Sequence, residues 1–439
     1  MIRRAVFVVA GLLVPGIALS QTSAPAPRPN GRVSVYLTSD TRTPTGSPTS
    51  QGFDVATSFT FRTPDVDASG LDAGVDFRYT GYSVANRPAR VSLYDGFAGA
   101  RLGRTGQLRV RAGHMWLPDL GTAGAVAGGV LDYRSAPAGS AQRLVAGIFG
   151  GAEPLGYTQG YATGVRKFGG YIGMERGYLQ RHTLGMAVIR NQGLTERAML
   201  SLTNYIPVGS SFFAYQAMEY DIKGPANGAA SGGLAYFLVN ARATVAPRLE
   251  LQGTYNRGRS LNARQLTDDV LNGRPLTTQA LDGLRYETAG ARATVRLGEQ
   301  FQVYAGYYRD RNNREDAATG RLTLGWYSNN LFNSGFDLSG ADATIDRPSG
   351  PYHSRYVSLG RALGRSVYAS IDVSTSLAVV RFVRSDGVSI ETRPWTRRLS
   401  GSVSANLSRN FSLMGVADLV VDEGLKDLRI MTGLTYRLR

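Results

Sequence analysis

Histidine is the side chain whose ordinary pKa suits proton transfer near neutral pH, and this chain has three: His114, His182 and His353. They lie in separate segments, with no metal-type or catalytic spacing to one another. Nucleophilic catalysis needs a hydroxyl and a carboxylate brought against an imidazole. The acid nearest His114 in the stretch RAGHMWLPD is Asp119, which follows Pro118 and falls in a loop. No GxSxG, HExxH or P-loop pattern occurs. The chain has no cysteine, so disulfides, thiolate metal sites and lipid attachment through sulfur are excluded. The residues point away from an enzyme and assign no catalytic, metal or cofactor position.

The remaining chemistry is that of arginine. Lys and Arg total 49 against 33 Asp and Glu, a net charge of +16, and only Lys167, Lys223 and Lys426 are lysine. A basic balance can serve nucleic acid, but no basic cluster with interleaved aromatics appears, and the charges are spread one or two per strand. They also share a phase. If apolar residues face outward, Asp72, Asp76, Arg78, Arg109, Arg111, Arg242, Arg292, Arg296, Arg398, Arg429 and Arg437 all face inward. Rings of arginine in a water-filled passage favour anions, and facing aspartates set up a transverse field. The same residues could equally solvate and cross-link an inner wall.

The elements that would hold these charges are strands. From Gly31 onward about ten residues alternate in polarity, turn, and alternate again. Phe53, Val55, Thr57, Phe59 and Phe61 alternate with Asp54, Ala56, Ser58, Thr60 and Arg62; Phe301, Val303, Ala305 and Tyr307 alternate with Gln302, Tyr304, Gly306 and Tyr308. Tight turns such as LGRTGQLRV, VAPRLELQG and LSRNFSLMG lead directly into new strands. Longer polar links, including Ser39–Ser50, Gly151–Gly160, Lys223–Ser231, Arg257–Gly283 and Ala341–His353, take turns with the short ones. The count reaches about 22 strands near the ~9–11 residues that cross a bilayer, with Asn329–Gly340 the doubtful pair, so an even number from 18 to 22 is expected.

The last stretch, Leu425–Arg439, is also an alternating strand, with Leu428, Ile430, Leu434, Tyr436 and Leu438 on one face. It needs a partner upstream, and RVSVYLT at Arg32–Thr38 has the matching pattern. A soluble sandwich is nearer ~100 residues, whereas this alternation continues without helices or a domain break. A propeller would show a blade repeat, and none is found. The expected fold is therefore an all-β, transmembrane, antiparallel up-and-down β-barrel over residues 31–439.

The start MIRRAVFVVAGLLVPGIALSQ has a basic pair, an apolar middle and a small-residue cleavage pattern, as a secretory signal over residues 1–20 would. Residues 21–30 read as a short periplasmic tail. No later run of about 18 apolar residues suggests a membrane helix, and the mean hydropathy of −0.16 suits strands that are half wet. The signal, the hairpin series and the ending together resemble Gram-negative outer-membrane β-barrels of the porin-like kind. The ending is similar to the signal read by the barrel-assembly machinery, in Gly433, Tyr436 and Leu438. It departs from that pattern at Met431 and at the terminal Arg439.

The resemblance implies a cell outer membrane location, with outer-membrane lipid and lipopolysaccharide, the assembly machinery and small solutes as partners. Nucleic acid is not a partner, no cofactor is implied, and homo-oligomerisation stays open. Passive diffusion of small hydrophilic, anionic solutes is the function expected; an exopolysaccharide exporter or a non-conducting structural barrel are the alternatives. Within the longest link, LTDDVLNG reads as a short capped helical turn, so Arg257–Gly283 either folds into the passage or lies outside. Leu120–Gly129 is unusually apolar for a loop and would pack at the rim or dip inward. Trp116, Tyr157, Tyr161, Tyr307, Trp326, Tyr327, Tyr356 and Trp395 lie near strand ends, as an interfacial girdle would require.

Overall fold

The computed structural model describes residues 30–438, apart from the short stretches 64–69, 84–86, 104–106, 118–119, 121–123, 137–139, 155–159, 178, 316 and 384–388. The expected signal, nearly all of the tail, Pro118, Asp119 and Tyr157 lie outside the described residues.

Alternating polarity becomes strand throughout. In chain order these are β1 (Asn30–Pro44), β2 (Ser50–Arg62), β3 (Leu71–Tyr82), β4 (Arg90–Leu102), β5 (Leu108–Trp116), β6 (Ala125–Arg134), β7 (Arg143–Pro154) and β8 (Tyr161–Arg176). They continue as β9 (Gln180–Asn191), β10 (Leu194–Val208), β11 (Phe212–Lys223), β12 (Gly233–Ala246), β13 (Leu249–Ser260), β14 (Leu284–Arg296), β15 (Phe301–Asn312) and β16 (Thr319–Ser328). The series ends with β17 (Phe336–Asp346), β18 (Tyr352–Leu363), β19 (Val367–Ala378), β20 (Val380–Val383), β21 (Ser389–Thr392), β22 (Trp395–Asn406), β23 (Phe411–Asp422) and β24 (Leu425–Leu438). Helices α1 (Ala263–Leu271) and α2 (Thr278–Asp282) sit between β13 and β14.

All strands but β20 and β21 form one 22-stranded sheet in which chain neighbours pair antiparallel. The sheet closes on itself: β24 pairs with β1 through Val33↔Tyr436, Val35↔Leu434 and Leu37↔Thr432. Closure leaves no unpaired edge, the condition for a sheet in a medium that offers the backbone no hydrogen bonds. β20 and β21 make a separate hairpin in the link between β19 and β22.

Strand length differs from the sequence expectation. β1 and β2 stay in register up to Arg42↔Ser50, so the expected long link Ser39–Ser50 shrinks to 45–49. β9 and β10 are joined by Gln192 and Gly193 alone, both at positive φ (48° and 88°), the backbone of a tight hairpin turn whose twist matches its strands. The two long connections, 261–283 and 379–394, lie at one end of the barrel, opposite to the chain termini. The doubtful Asn329–Gly340 stretch is a 3-10 turn, Leu331–Asn333, followed by a true strand. Ala341–His353, read as a link, is mostly strand, because Asp346 and Tyr352 bound a connection of only 347–351.

One parity of every strand faces out, and that face is mainly apolar and uncovered: Ile148, Ile172 and Ile371 are 62%, 61% and 55% exposed. The other parity faces in. Between β4 and β10 the inward positions are buried, and toward the middle of the strands they are apolar, with Phe97, Met115, Val126, Val130, Val145, Phe149, Tyr171, Ala187 and Met199 in one cluster. This side of the barrel is filled; it has a core of its own.

Candidate functional site

The register places every charged residue singled out above on the inward face. They fall into two groups of different character. Asp72 and Arg109 are buried and Arg111 nearly so, at the end of the filled sector nearer the chain termini. There Arg101 Nη2 lies 3.3 Å from Asp72 Oδ1 and Arg111 Nε 3.8 Å from Asp72 Oδ2. Arg111 Nη2 donates to Asp132 Oδ2 at 2.6 Å, and Arg134 Nε donates to Asp132 Oδ1 at 3.0 Å. Glu175 continues the run, accepting from Arg143 Nε at 2.7 Å and facing Arg181 Nε at 3.6 Å. Buried charges persist only when paired and hydrogen-bonded in this way. These arginines are therefore cross-links of a dry wall, and their charge is spent on their partners.

The second group is exposed to the lumen: Arg78, Arg242, Arg296, Arg398, Arg429 and Arg437. Arg242 is held by Glu250 at 2.6 Å and Arg398 by Asp418 at 2.6 Å. Arg78, Arg296, Arg429 and Arg437 have no carboxylate within salt-bridge distance among the described residues. Arg32 faces Arg437 directly across the β1–β24 seam, also exposed and inward, so two like charges stand side by side at the terminal end of the lumen. Asp76 lies inward opposite Asp95, whose carboxylate takes Arg62 at 3.1 Å.

The wall between β10 and β19 adds a feature unnoticed in the sequence. Its inward positions carry Tyr205, Tyr215, Tyr236, Tyr286, Tyr304, Tyr308, Tyr327, Tyr356 and Tyr368. Several lie flat across a glycine of the neighbouring strand. A methyl group at Gly290 would stand 2.0 Å from the Tyr308 ring, and one at Gly325 2.3 Å from Tyr304. The guanidinium of Arg292 covers the Tyr304 ring at 3.8 Å, and that of Arg321 covers Tyr308 at 4.8 Å. Arg292 is thus a stacked cation with donors still facing the lumen. The alternation FQVYAGYYRD already carried this signal, because Tyr304 and Tyr308 share the phase of Gln302.

Two connections enter or roof the filled sector. Between β5 and β6, Leu117 and Leu120 are 3% and 1% exposed and belong to the inner cluster. Leu120 reaches Gly185 of β9, where a methyl group would stand 1.8 Å from its Cδ2. Leu117 and Leu120 therefore point inward, one of the two outcomes the composition allowed, whereas 125–129 of the stretch read as a loop is the start of β6. The 261–283 link turns back across the mouth. Asn262 caps α1, its Oδ1 accepting from the Gln265 backbone N–H at 3.1 Å. So the helix begins earlier than LTDDVLNG suggested.

Its Arg264 donates to Glu196 at 2.5 Å and to Glu153 at 2.8 Å, and Asp268 accepts from Asn191 at 2.8 Å. Lys167 adds a contact to Glu153 at 3.1 Å. Burial works against the charge of Arg264, but the hydrogen bond and proximity of Glu196, then of Glu153, hold its pKa above the ordinary arginine value. Leu266 packs on Ala226 and Ala230 of the link between β11 and β12. The connection is a latched roof over β7 to β12.

Among the described residues no histidine bonds a carboxylate, and Asp119 lies outside them. His114 meets the ring of Tyr161, at 6.0 Å between centroids. His182 bonds Asn204 at 2.9 Å and Gln180 at 3.1 Å; His353 bonds Thr344 at 3.2 Å. No group of metal-ligating side chains occurs among the described residues. Of the aromatic residues taken as a girdle, Trp116, Tyr307, Trp326 and Trp395 face out. Tyr327 and Tyr356 face in and belong to the tyrosine wall, a correction that follows from the β16–β17–β18 register.

No protein-family model and no curated protein matches this chain. Solved structures with a similar trace include Acinetobacter baumannii OccAB4, at 11% identity over 94% of this chain and 98% of that one, with a TM-score of 0.45. Acinetobacter baumannii OccAB2 has 9% identity over 94% and 98% of the two chains and a TM-score of 0.44. Pseudomonas aeruginosa OpdQ has 8% identity, 94% and 99% coverage and a TM-score of 0.43.

Proposed function

We propose that the protein is an outer-membrane channel through which small hydrophilic, preferentially anionic solutes diffuse passively along the polar side of the lumen. The observation that carries this is the split of inward charge. Arginines on the filled side are neutralised by buried partners, whereas Arg32, Arg78, Arg296 and Arg437 stand exposed on the other with no carboxylate within salt-bridge distance among the described residues; Arg429, between Asp40 and Asp418 in the register, adds less. Unpaired cations on a low-dielectric wall raise the local concentration of anions. The tyrosine wall offers hydroxyl groups and flat faces, with Arg292 and Arg321 stacked on its rings and Asp337 and Asp372 bonded to its hydroxyls. The outward apolar face and the closed backbone ladder supply what hydrocarbon requires. Short connections and both chain ends would lie in the periplasm, and the latched 261–283 roof outside.

The roof and the filled sector with its inward Leu117 and Leu120 restrict the path to less than the full barrel section, which favours selection by charge over bulk flow. In a planar bilayer with a KCl gradient the purified barrel should give ohmic steps and a reversal potential of anion-selective sign. Replacing Arg32 and Arg437 together by Gln should move that potential toward zero without closing the channel. A barrel that inserts and never conducts, or that conducts with cation preference, would overturn the proposal.

A further inference from the structure

The outward face repeats the asymmetry of the lumen. Below the rim the outward positions are mainly apolar, the Arg355–Asp342 pair and the bonded His182, Asn204 and Gln216 apart, but the end carrying the 261–283 roof is edged with arginine: Arg166, Arg190, Arg257, Arg309, Arg311 and Arg397, all exposed. At the opposite edge the outward strand positions carry far fewer cations, chiefly Arg176 and Arg361. Arg166 and Arg190 are the clearest case. They are directly opposed in the β8–β9 register, and their other cross-strand neighbours are Ala152 and Thr195. Like charges placed directly opposite on one sheet face destabilise it, and neither has a carboxylate partner among the described residues. A second group lies on β13 to β15, where Arg257, Glu287 and Arg311 follow one another in register with Arg309 one outward step below. Glu287 is engaged by the Tyr255 hydroxyl at 3.0 Å and is the one acid paired with these arginines in the register of the described residues.

Height along the barrel identifies what neutralises them. Between Arg166 and Arg176 of β8 the outward residues are Phe168, Gly170, Ile172 and Met174. At ~3.3 Å rise per residue and a tilt near ~40°, the two arginines stand about 25 Å apart along the axis. That is the height of an apolar band in an outer-membrane barrel, so the Arg166–Arg190 pair sits at headgroup level of the outer leaflet. Guanidinium pairs at that level match phosphate, with bidentate donors and partial desolvation against the acyl region.

We infer that this outward arginine edge, centred on Arg166 and Arg190, is a binding site for the phosphates of a phosphorylated outer-leaflet glycolipid. The inference rests on the membrane orientation given under Proposed function. The ligand bridges the two guanidinium groups, and its acyl chains lie along Phe168, Val188, Ile172 and Leu184 below.

The test is native mass spectrometry of the detergent-purified full barrel with bis-phosphorylated lipid A, the same lipid after dephosphorylation, and phosphatidylglycerol. Lipid A should be retained, and the other two should not compete with it. R166Q/R190Q should weaken retention by about tenfold or more, as loss of a charge-assisted bond implies. R361Q, at the far edge, should leave it unchanged. Equal retention of dephosphorylated lipid, equal retention of phosphatidylglycerol, or unaltered binding by R166Q/R190Q would each overturn the inference. Folding of each variant is checked by heat-modified gel mobility, and conductance is measured in phosphatidylcholine bilayers. A barrel that conducts without binding lipid A sinks this site alone, and one that binds without conducting sinks only the channel proposal.

Discussion

Asp132→Asn isolates the claim that one side of the lumen is a dry, cross-linked core. The Asp132 side chain is fully buried at the inner face of β6 and takes one guanidinium on each oxygen, from Arg111 at 2.6 Å and Arg134 at 3.0 Å. Asparagine keeps the shape and one acceptor but removes the charge. Arg111, 11% exposed at its side chain, then depends on Asp72 at 3.8 Å, too long for a good hydrogen bond. Breaking a buried pair in this way costs about 3–5 kcal/mol, a large part of the ~5–15 kcal/mol that holds a typical protein folded.

The three tryptophans, Trp116, Trp326 and Trp395, face outward and far from the substitution, so their fluorescence reports global unfolding in lipid vesicles. Urea titrations in both directions should put the variant at least ~3 kcal/mol below the parent. Arg111→Gln in the Asp132→Asn background should then cost less than it does alone, because the partner is already gone. If Asp132→Asn lies within ~1 kcal/mol of the parent, water reaches the carboxylate. The filled sector would then be part of the aqueous path.

The roof yields a second expectation. Arg264 is partly exposed, 29% at its side chain, and bonds two acids. After allowance for solvent screening, Arg264→Ala should loosen the latch by about 1–2 kcal/mol, seen as noisier and larger single-channel steps; identical steps would mean that the roof does not limit the path. In the β20–β21 hairpin, hydrogen bonds from Arg381 and Arg393 hold the Glu391 carboxyl below its usual range. A depressed folded pKa stabilises the hairpin above the unfolded value of ~4.3. That contribution is lost as pH falls through the lower folded value, so the protection of the β20 and β21 amides, relative to their intrinsic exchange rates, should fall there and Glu391→Gln should flatten that pH dependence. Deleting Tyr436–Arg439 removes the seam pairs Val33↔Tyr436, Arg32↔Arg437 and Gly31↔Leu438 and the Phe411–Tyr436 ring contact. It should abolish the heat-modifiable barrel, and unaltered assembly would deny that these residues close it.

The outward face was the legible part of this sequence. Period two alone found the strands, their phase and the β24–β1 closure, because every outward position meets one kind of solvent. A charge there is costly and an apolar side chain is not, so polarity marks direction. Loop lengths were less legible. Whether a hairpin continues past the apolar band depends on cross-strand pairs such as Arg42↔Ser50, and polarity does not encode those. The Gln192–Gly193 turn was hidden for a related reason: positive φ at Gln192 is imposed by the hairpin around it.

Inside the barrel there is no single solvent, and that is why the site was only half visible. Polarity correctly put Arg78 and Arg111 on the same face, yet one is exposed to the lumen and the other lies against Phe97 at 5.5 Å and Asp132 at 2.6 Å. What separates them is what stands opposite. Arg78 faces Ser58 and Ser92, small side chains that fill no space. Arg111 belongs to the sector filled by Met115, Val126 and the inward Leu120, none of which is its neighbour in the inward phase of β5, where Arg109 and Gly113 flank it. Filling one side of a closed sheet takes residues from seven successive strands and a loop, so it leaves no local pattern. The consequence for function is direct. Inward arginines cannot be counted as a selectivity ring until their partners are known, and only those opposite small, uncharged positions keep a field for a passing solute.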